Sequence, residues 1–590
     1  MDFMDEQRPF TAGEMENGNN HLRAYTPKKI EKKWLTQPEI TPEIDQALSG
    51  YPQGFRQLLF NRGILTTEDA ELFLNAEGSL YDPFLLDGME CAVERIMKAL
   101  SNQEPIVVYG DYDVDGVSST ALLVSLLTRL GGRVQAYIPD RFDEGYGVNT
   151  QSLKELAEQG ARLIITVDCG IRSVAEVEIA NELGLDIVLS DHHYPGGPIP
   201  PALAVINPKK PLDLYPNKNL SGVGVAFKIA EALILRMPES GINSASYLDL
   251  VALGTVADIV PLVGENRALV KAGIKKMREG RNIGLRALAG AARIDLANVK
   301  SRDIGFMLAP RLNAAGRIDS ARISFDLLMS TDPGAASLLA QKLDDLNKQR
   351  QNLVASMANM ARQEINGSAD QNILVSFHAD YAQGVVGLVA SRLTDDYYRP
   401  SIVGQIKGDY AVASCRSIPE FHITRNLDLC ADLFERHGGH EMAAGFTIRT
   451  ERIEELKTRL TALCDEELSC KEIAPSLRAD YDIPLRKIPA NILDSINRIE
   501  PTGQNNPEVV FISRDIEVVS KRRVGGDGSH LQMVVKDGVR TYPAIAFRKG
   551  DLITNLPERI DVIYNLARND FNGNVTTQMN IIDIKPSASE

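Results

Sequence analysis

The sequence predicts an α/β protein with a doubly wound parallel sheet, a long connecting helix, a second α/β domain and a C-terminal antiparallel β-barrel. Three observations support this architecture. Strand and helix patterns alternate between Cys91 and about Lys210, helical periodicity runs from about Ala335 to Ile365, and short strands separated by turn residues begin near Leu477. The predicted divisions are a flexible extension (1–26), the first α/β domain with an N-terminal helical part (27–334), the helix (335–366), the second α/β domain (367–472) and the barrel (473–590).

The composition predicts an ordinary soluble, cytoplasmic chain of several domains. Of its 590 residues, 44% are hydrophobic and 24% are charged, no apolar run is long enough to span a membrane, and the N-terminus lacks the pattern of a signal peptide. The six cysteines form no C-x-x-C pair, which argues against a disulfide framework and a thiolate zinc site. The net charge of −15 argues against a nucleic-acid partner, but the part from Arg478 onward has balanced charge, so net charge does not decide the partner.

Three carboxylates follow the first buried strand of the predicted sheet. The apolar run Ile106–Gly110 leads into Asp111, Asp113 and Asp115, and a helical pattern begins directly afterwards. Ligands of open α/β sheets bind at the carboxyl ends of strands, and closely spaced carboxylates are costly to bury unless cations lie among them. A solvated acidic turn or a helix N-cap would account for one aspartate but poorly for three. The turn therefore predicts Mg²⁺ or Mn²⁺ ligands.

Further metal-type side chains follow later strands of the same sheet. Asp168 ends the strand that begins at Leu163, while Asp191, His192 and His193 end the next one. These strand ends are neighbours in space in a doubly wound sheet, although a pair of histidines alone is more often structural. Asp258 interrupts an almost wholly apolar segment, where a carboxylate must be paired, hydrogen-bonded or metal-bound. We favour a metal role for it.

The second half of the chain offers weaker signals. The helical pattern from Ala335 is typical of a packed amphipathic spacer. In the second α/β domain, glycine-flanked Ser414, Arg416 and His440 could bind phosphate, although each one alone is compatible with ordinary loop chemistry. In the barrel, the basic run 521–523 and nearby aromatic residues fit either a groove for single-stranded nucleic acid or a solvated charge run beside core aromatics.

The order of six motifs resembles the RecJ family of single-strand-specific 5′→3′ exonucleases, within the Asp-His-His (DHH) phosphoesterase superfamily. The motifs are GDYDVDG, TVDCG, SDHH, GTVADIVPL, PRLNAAGRI and GGHEMAAGF. The resemblance implies a DHH catalytic domain, a DHHA1-type substrate-binding domain and an oligonucleotide-binding (OB-like) barrel. It also implies a role in DNA repair and recombination, a single-stranded DNA substrate with a 5′ end, and contact with a single-strand-binding protein or a helicase.

The motif positions give each residue a predicted role in hydrolysis by two divalent ions, Mn²⁺ or Mg²⁺. Asp113, Asp115, Asp168, His192 and Asp258 are the predicted metal ligands, with Asp168 as the bridge between ions, and Asp111 and His193 complete the predicted catalytic set. The predicted phosphate-binding residues are Arg141, Arg311, Arg317, Ser414, Arg416 and His440. The last three are expected to hold the 5′ phosphate. Two alternatives stay open: a small-substrate member of the superfamily, such as an oligoribonuclease or nucleotide phosphatase, and a non-catalytic nucleic-acid-binding scaffold.

Overall fold

The computed structural model describes residues 30–75, 80–141, 144–145, 147–365, 371–489, 491–571 and 574–587. The predicted extension at 1–26 lies outside the described residues. The chain divides into two compact units. The smaller unit contains Met357–Tyr381 and Gly387–Ala474, and the larger one contains Lys32–Ser356, Ala382–Val386 and the chain from Pro475 onward. Each unit is considered by itself below.

The larger unit is organised around the predicted parallel sheet, whose strands and helices alternate along the chain. These elements are α4 (Met89–Ser101), β2 (Pro105–Gly110), α5 (Val114–Arg129), β3 (Arg133–Tyr137), α6 (Thr150–Glu158), β4 (Leu163–Val167), α7 (Val174–Glu182), β5 (Asp186–Ser190), β6 (Ala204–Ile206) and α8 (Gly222–Arg236). The strand order is β3-β2-β4-β5-β6, and every pairing is parallel. The carboxyl ends of all five strands therefore lie along one edge of the sheet.

A helical layer continues from the sheet to the long connecting helix. Its members are α9 (Leu248–Ala257), α10 (Gly264–Arg278), α11 (Ile283–Ala291), α12 (Ser301–Asp303), α13 (Ala309–Ile318), α14 (Arg322–Leu328) and α15 (Pro333–Ile365). A π-helical turn, Ile304–Leu308, joins α12 to α13. Helix α5 is buried along nearly its whole length because it packs against β2, α8 and α9, which explains why most of its residues are apolar or small.

The N-terminal elements of the larger unit share a hydrophobic core with the barrel. They are β1 (Lys33–Thr36), α1 (Pro42–Ala47), α2 (Gln53–Phe60) and α3 (Thr67–Asn75). Phe55, Leu58 and Leu59 of α2 are buried in the same cluster as Phe511 and Tyr564 of the barrel. The sequence groups these helices with the sheet, whereas their side chains contribute to the core of the C-terminal part.

The C-terminal part of the larger unit is the predicted β-barrel. It contains β12 (Ser476–Ala479), β13 (Tyr481–Asp482), α19 (Ile492–Ile499), β14 (Phe511–Val524), β15 (His530–Asp537), β16 (Arg540–Ala546), β17 (Arg559–Phe571) and β18 (Asn574–Pro586). The order β14-β15-β16-β18-β17 is closed by pairing between β14 and β17, which removes open sheet edges. Strand β12 pairs with β1.

The smaller unit is the predicted second α/β domain. It contains β7 (Leu374–His378), α16 (Val386–Tyr397), β8 (Ser401–Lys407), β9 (Tyr410–Arg416), α17 (Ile423–Asp428), β10 (Phe434–His440), β11 (Ala443–Arg449) and α18 (Ile453–Leu468). The strand order is β10-β11-β9-β8-β7, with β7 and β8 parallel and the other pairs antiparallel. Among the helices that the structure describes, none has the length and apolar character needed to cross a membrane.

Candidate active site

The carboxyl ends of β2, β4 and β5 bring the acidic and histidine residues together. His192 is central to this cluster: its Nε2 lies 3.1 Å from Asp168 Oδ1, 3.5 Å from Asp258 Oδ2 and 4.0 Å from Asp115 Oδ2. The ligand atoms form three overlapping groups, each within 4.8 Å, that contain Asp111, Asp113, Asp115, Asp168, His192, His193 and Asp258. All seven side chains predicted to be catalytic therefore converge at one place.

Several ligand atoms of this cluster are buried and have no hydrogen-bond partner. These atoms are Asp111 Oδ1, Asp168 Oδ1 and both ring nitrogens of His192. The 3.1 Å approach between His192 and Asp168 is close but lacks the geometry of a hydrogen bond. Buried polar atoms are rarely left unpaired, and oxygen and imidazole donors suit Mn²⁺ and Mg²⁺. The side chains therefore fit a divalent-cation centre.

The electrostatics of the cluster lead to the same conclusion. Burial, followed by repulsion from neighbouring aspartates, raises the pKa of Asp115 to about 7 and that of Asp258 to about 9. The same causes raise the pKa values of Asp111 and Asp168 well above their usual range. So many carboxylates are stable in the charged form only if bound cations offset their repulsion.

Asp115 is held by the N-terminus of α8, which the sequence did not identify as part of the site. Its Oδ2 accepts a hydrogen bond from the Gly222 N–H at 2.6 Å, and its Oδ1 accepts one from the Val223 N–H at 2.9 Å. Ser221 caps the helix, and a β-carbon at Gly222 would lie 2.5 Å from Asp168 Oδ1. The glycine at position 222 is therefore explained by the close approach of a helix N-terminus to two carboxylates.

The two histidines of the SDHH motif have different environments. Burial, followed by repulsion from His193, lowers the pKa of His192 to about 3, so this ring is neutral at pH 7. His193 Nδ1 lies 2.8 Å from Asp191 Oδ1, which also accepts hydrogen bonds from the two histidine N–H groups; Asp191 Oδ2 accepts one from Ile171. Because these hydrogen bonds occupy both oxygens, Asp191 orients the histidine pair. The sequence alone left this role open.

Two of the predicted phosphate-binding arginines flank the acidic turn. The Arg141 guanidinium lies 4.9 Å from the centre of the Tyr112 ring. Gly316 lets α13 approach the backbone of Tyr112 closely, since a β-carbon at position 316 would lie 2.8 Å from the Tyr112 carbonyl oxygen. Arg317 is the next residue of this helix. Burial, followed by repulsion from Arg141 and Arg350, lowers the pKa of Arg317 to about 10. Guanidinium groups that repel one another in this way favour a bound anion.

The third predicted arginine has a protein partner. Arg311 Nε and Nη2 both lie 2.9 Å from Asp344 Oδ1, and Nη1 donates a hydrogen bond to the Met307 carbonyl. Asp344 belongs to α15 and also lies 2.8 Å from Lys348 Nζ. Arg311 therefore joins α13 to the long helix in this structure, and its predicted role in phosphate binding stays a prediction.

Helix α15 carries buried polar groups that the sequence pattern did not reveal. Asn347 is 2% exposed and its Oδ1 has no hydrogen-bond partner; the same holds for the buried Nε of Arg350. Burial, followed by repulsion from Arg311, lowers the pKa of Arg350. The interpretation of this helix as an amphipathic spacer was therefore incomplete. Asp344, Asn347 and Arg350 recur at three-residue spacing, and in a sequence such a row of polar residues resembles the solvent-exposed face of a helix.

The smaller unit brings Ser414, Arg416 and His440 to adjacent strands. Arg416 of β9 and His440 of β10 both pair with Ala443 of β11, one on each side, and Ser414 pairs with Gly445. A β-carbon at Gly387, in the first turn of α16, would lie 3.1 Å from Arg416 Nη2 and 3.5 Å from Ser414 Oγ. The arrangement places a hydroxyl and a guanidinium beside a helix N-terminus, which suits an anion.

The barrel residues have mixed environments. Lys521 Nζ and Arg523 Nε donate hydrogen bonds to the carbonyls of Leu556 and Gly550, and Arg522 Nε donates to Gln532. Phe547 is 50% exposed and makes an edge contact with His530 at 5.3 Å. The Phe547 ring and the Arg522 side chain are exposed to solvent, and the nucleic-acid groove in this region of the barrel stays a prediction.

Comparison with family models assigns three segments of the chain. Residues 105–255 match the DHH family, N-terminal domain; residues 370–466 match the DHHA1 domain; and residues 479–583 match the RecJ OB domain. Their order is the predicted order of the parallel-sheet domain, the second α/β domain and the barrel.

Relatives and solved structures match over most of the chain. The chain is 39% identical to the single-stranded-DNA-specific exonuclease RecJ of Bacillus subtilis, over 89% of this chain and 67% of the relative. It is 36% identical to RecJ of Dickeya dadantii, over 93% of this chain and 98% of the relative. The crystal structure of Thermus thermophilus RecJ in complex with Mn²⁺ aligns with a TM-score of 0.80 at 30% identity, covering 94% of this chain and 80% of that chain. The Mg²⁺ complex of the same protein aligns with a TM-score of 0.74 at 28% identity, covering 94% and 79%.

Proposed function

The chain belongs to the RecJ family of single-stranded-DNA-specific exonucleases, and on this premise we propose that it removes mononucleotides from the 5′ end of single-stranded DNA. It is a metal-dependent exonuclease of the DHH family that uses Mn²⁺ or Mg²⁺. The proposal concerns the direction of cleavage, the product and the part that each residue plays.

One observation carries the proposal: a cluster of carboxylates around a neutral histidine, in which four buried ligand atoms of Asp111, Asp168 and His192 have no hydrogen-bond partner. Asp113, Asp115, Asp168, His192 and Asp258 would hold two divalent ions, with Asp168 shared between them. When bound, the ions activate water and stabilise the attacking and leaving oxygens of an in-line displacement at phosphorus. The raised pKa values of the aspartates support this assignment, because they reflect charge repulsion that cations relieve.

The protein's own groups orient the site. Burial opposes ionisation of Asp191, but its hydrogen bond with His193 lowers its pKa to about 2, so the carboxylate accepts the proton on His193 Nδ1. This hydrogen bond fixes the tautomer with the proton on Nδ1, so Nε2 of His193 is the ring nitrogen that can act as an acceptor. The amide groups of Gly222 and Val223 fix Asp115 in the same way. Asp111 and His193 would support the ligands from adjacent positions.

Phosphate-binding residues would set the direction of cleavage. Ser414, Arg416 and His440 would bind the 5′-terminal phosphate, while Arg141 and Arg317 would hold the phosphates next to the metal ligands. Arg311 would assist after rearrangement of its ion pair with Asp344. Guanidinium groups bind phosphate oxygens through two parallel hydrogen bonds, which gives both affinity and orientation. Binding of the strand end rather than its interior makes the enzyme an exonuclease.

The two alternative functions are not favoured. A small-substrate phosphoesterase does not need a nucleic-acid-binding barrel, and residues 479–583 match the RecJ OB domain. A non-catalytic scaffold does not need a complete set of acidic and histidine ligands, and all seven predicted side chains converge here. A single-strand-binding protein or a helicase as partner and a role in repair and recombination stay predictions from the family resemblance, and a cytoplasmic location stays a prediction from the composition.

The test uses purified protein, Mn²⁺ and single strands labelled at the 5′ or the 3′ end, with matched duplex and RNA. We expect early release of the 5′ label as mononucleotide from single-stranded DNA, loss of release with a chelator, and loss of turnover but retained DNA binding in Asp113→Asn. Early release of the 3′ label would contradict the proposed direction. Cleavage restricted to very short oligonucleotides would support the small-substrate alternative, and binding without any cleavage would support the scaffold.

A further inference from the structure

Lys209 lies at the edge of the sheet beside the candidate metal ligands, and its backbone is fixed to the histidine pair. It follows β6, the edge strand next to β5, whose end carries the SDHH motif. The buried Asn207 joins the two segments: its Nδ2 donates a hydrogen bond to the His193 carbonyl at 2.9 Å, and its Oδ1 accepts one from the Lys209 N–H at 2.8 Å. Lys209 is therefore positioned with the active site and not with a mobile surface loop.

The ammonium group of Lys209 lies over the Tyr194 ring, next to the SDHH motif, and forms no direct ion pair with the described residues of the acidic cluster. Its Nζ lies 4.7 Å from the centre of the Tyr194 ring. In the described part of the chain, no carboxylate oxygen lies within the 4.0 Å limit of an ion pair with this group. Burial lowers the pKa of Lys209, while Asp258 and Asp191 act in the opposite direction. A half-buried cation over an aromatic ring is available to an anionic ligand.

The strand order places cations on opposite sides of the metal ligands. Arg141 follows β3 at one edge of the sheet, Lys209 follows β6 at the other, and the acidic ligands follow β2, β4 and β5 between them. A DNA backbone that crosses this edge would meet the arginines on one side of the scissile phosphate and Lys209 on the other. The pair of guanidinium groups suits the 5′ side of the scissile phosphate, where the strand ends in a phosphate monoester with about two negative charges, whereas one ammonium suits a diester with one charge.

We propose that Lys209 binds the internucleotide phosphate immediately 3′ of the scissile one, with Tyr194 holding the ammonium clear of the metal ligands. The inference rests on the proposed function, since it assumes cleavage at this metal centre. Lys209 is a positioning residue in this role: it retains the strand while the 5′ nucleotide is released. The Tyr194 ring provides a surface on which the cation is stabilised without neutralising Asp258 or Asp191.

The test places a neutral methylphosphonate at one linkage of a 5′-phosphorylated strand, in turn at the first, second and third linkages. In the wild-type protein, substitution at the second linkage should lower kcat/KM about tenfold, since a hydrogen bond to a charged group is lost. On the unmodified strand, Lys209→Met should lower kcat/KM by about the same factor. A neutral second linkage should lower the kcat/KM of this variant no further. Lys209→Arg should retain most of the activity and the sensitivity to the second linkage.

Binding provides a second readout that does not depend on turnover. In the Asp113→Asn background, the dissociation constant should show the same dependence on Lys209 and on the second linkage. Lys154→Met removes an exposed lysine from α6 and is the matched control, expected to leave both quantities unchanged. The inference would be overturned if Lys209→Met and the neutral second linkage weakened binding and turnover independently and additively. It would also be overturned if the effect of Lys209→Met depended on the 5′-terminal phosphate instead of the second linkage. A wild-type protein that releases no nucleotide from the unmodified strand would contradict the proposed function itself.

Discussion

The Asp191 carboxylate lies 2.8 Å from His193 Nδ1, and it accepts the proton on that nitrogen because hydrogen bonding keeps the carboxylate ionised. Burial opposes protonation of His193, but the hydrogen bond with Asp191 raises its pKa above the ordinary value. The same carboxylate receives the backbone N–H groups of both histidines. Asp191 therefore determines how the SDHH motif presents its imidazole rings, as carboxylates commonly do for histidines at metal centres.

Asp191→Asn should weaken Mn²⁺ binding and lower kcat by about 10- to 100-fold without unfolding the sheet. The amide can still accept backbone hydrogen bonds, but it no longer holds His193 through a charged acceptor, so the pKa of His193 should fall. Calorimetric titration with Mn²⁺ and the pH profile of kcat measure the two effects. Asp186→Asn, at the opposite end of the same strand, is the control. Equal metal affinity in wild type and Asp191→Asn would contradict this role.

The metal-free protein should lose stability as the pH rises from about 5 to 9. Asp115 and Asp258 have folded-state pKa values of about 7 and about 9, above the value of about 3.9 for an unfolded aspartate. Over this interval the folded state binds more protons than the unfolded state, so the free energy of unfolding decreases with pH. Thermal unfolding with a chelator measures the effect. Saturating Mn²⁺ should flatten the dependence, and Asp258→Asn should reduce it; a rise in Tm with pH in the metal-free protein would refute the explanation.

Gly222→Ala should reduce turnover by about 100-fold or more while changing stability little. A β-carbon at this position would lie 2.5 Å from Asp168 Oδ1 and 2.6 Å from Asp168 Cβ, so Asp168 or the start of α8 must move. Displacements of this size at a metal ligand strongly affect catalysis. The matched control is Gly290→Ala in α11, where nothing lies within 4 Å of the added carbon. Full activity of Gly222→Ala with unchanged Mn²⁺ affinity would show that the close approach is unimportant.

The convergence of the acidic and histidine side chains could be predicted from the sequence, because strand-end position in a parallel sheet determines which side chains meet; their roles as metal ligands stay predictions. Asp111, Asp168 and His192 each follow a buried strand, and the strand order brings those ends together. Contacts between helices could not be predicted in this way. The pairing of Arg311 with Asp344 depends on how α13 packs against α15, and the sequence pattern of each helix gives only its polar face. The hydrogen bonds from α8 to Asp115 were missed for the same reason.

Arg267→Met should lower the free energy of unfolding of the larger unit by about 3 kcal/mol or more. Arg267 is 1% exposed, and its guanidinium lies 3.8 Å from the centre of the Phe73 ring. It donates hydrogen bonds to the carbonyl oxygens of Phe73, Arg498, Ile499, Glu500 and Pro501. Methionine would leave these buried acceptors unsatisfied, which costs about 1–3 kcal/mol per group.

The control for Arg267 is Arg236→Met, which removes an exposed ion pair with Glu90 and should cost under about 1 kcal/mol. Chemical denaturation followed by tryptophan fluorescence is suitable because Trp34 belongs to the same unit and donates a hydrogen bond to Asp583 of the barrel. A similar change in both variants would mean that Arg267 does not join these segments.

Arg350→Gln should weaken binding of single-stranded DNA while leaving Mn²⁺ affinity unchanged. The Arg350 Nε is buried without a partner, and its charge lowers the pKa of Arg317. Two cations held against their mutual repulsion are stabilised when a phosphate binds between them, so removal of one should reduce the slope of log affinity against log salt by about 0.7 for a single strand. Fluorescence anisotropy between 50 and 300 mM salt measures this slope.

Arg322→Gln is the control: it removes an exposed arginine that pairs with Asp326 and should leave the slope unchanged. If Arg350→Gln instead binds DNA more tightly, relief of the repulsion on Arg317 exceeds the lost phosphate contact, and Arg350 serves to tune that arginine.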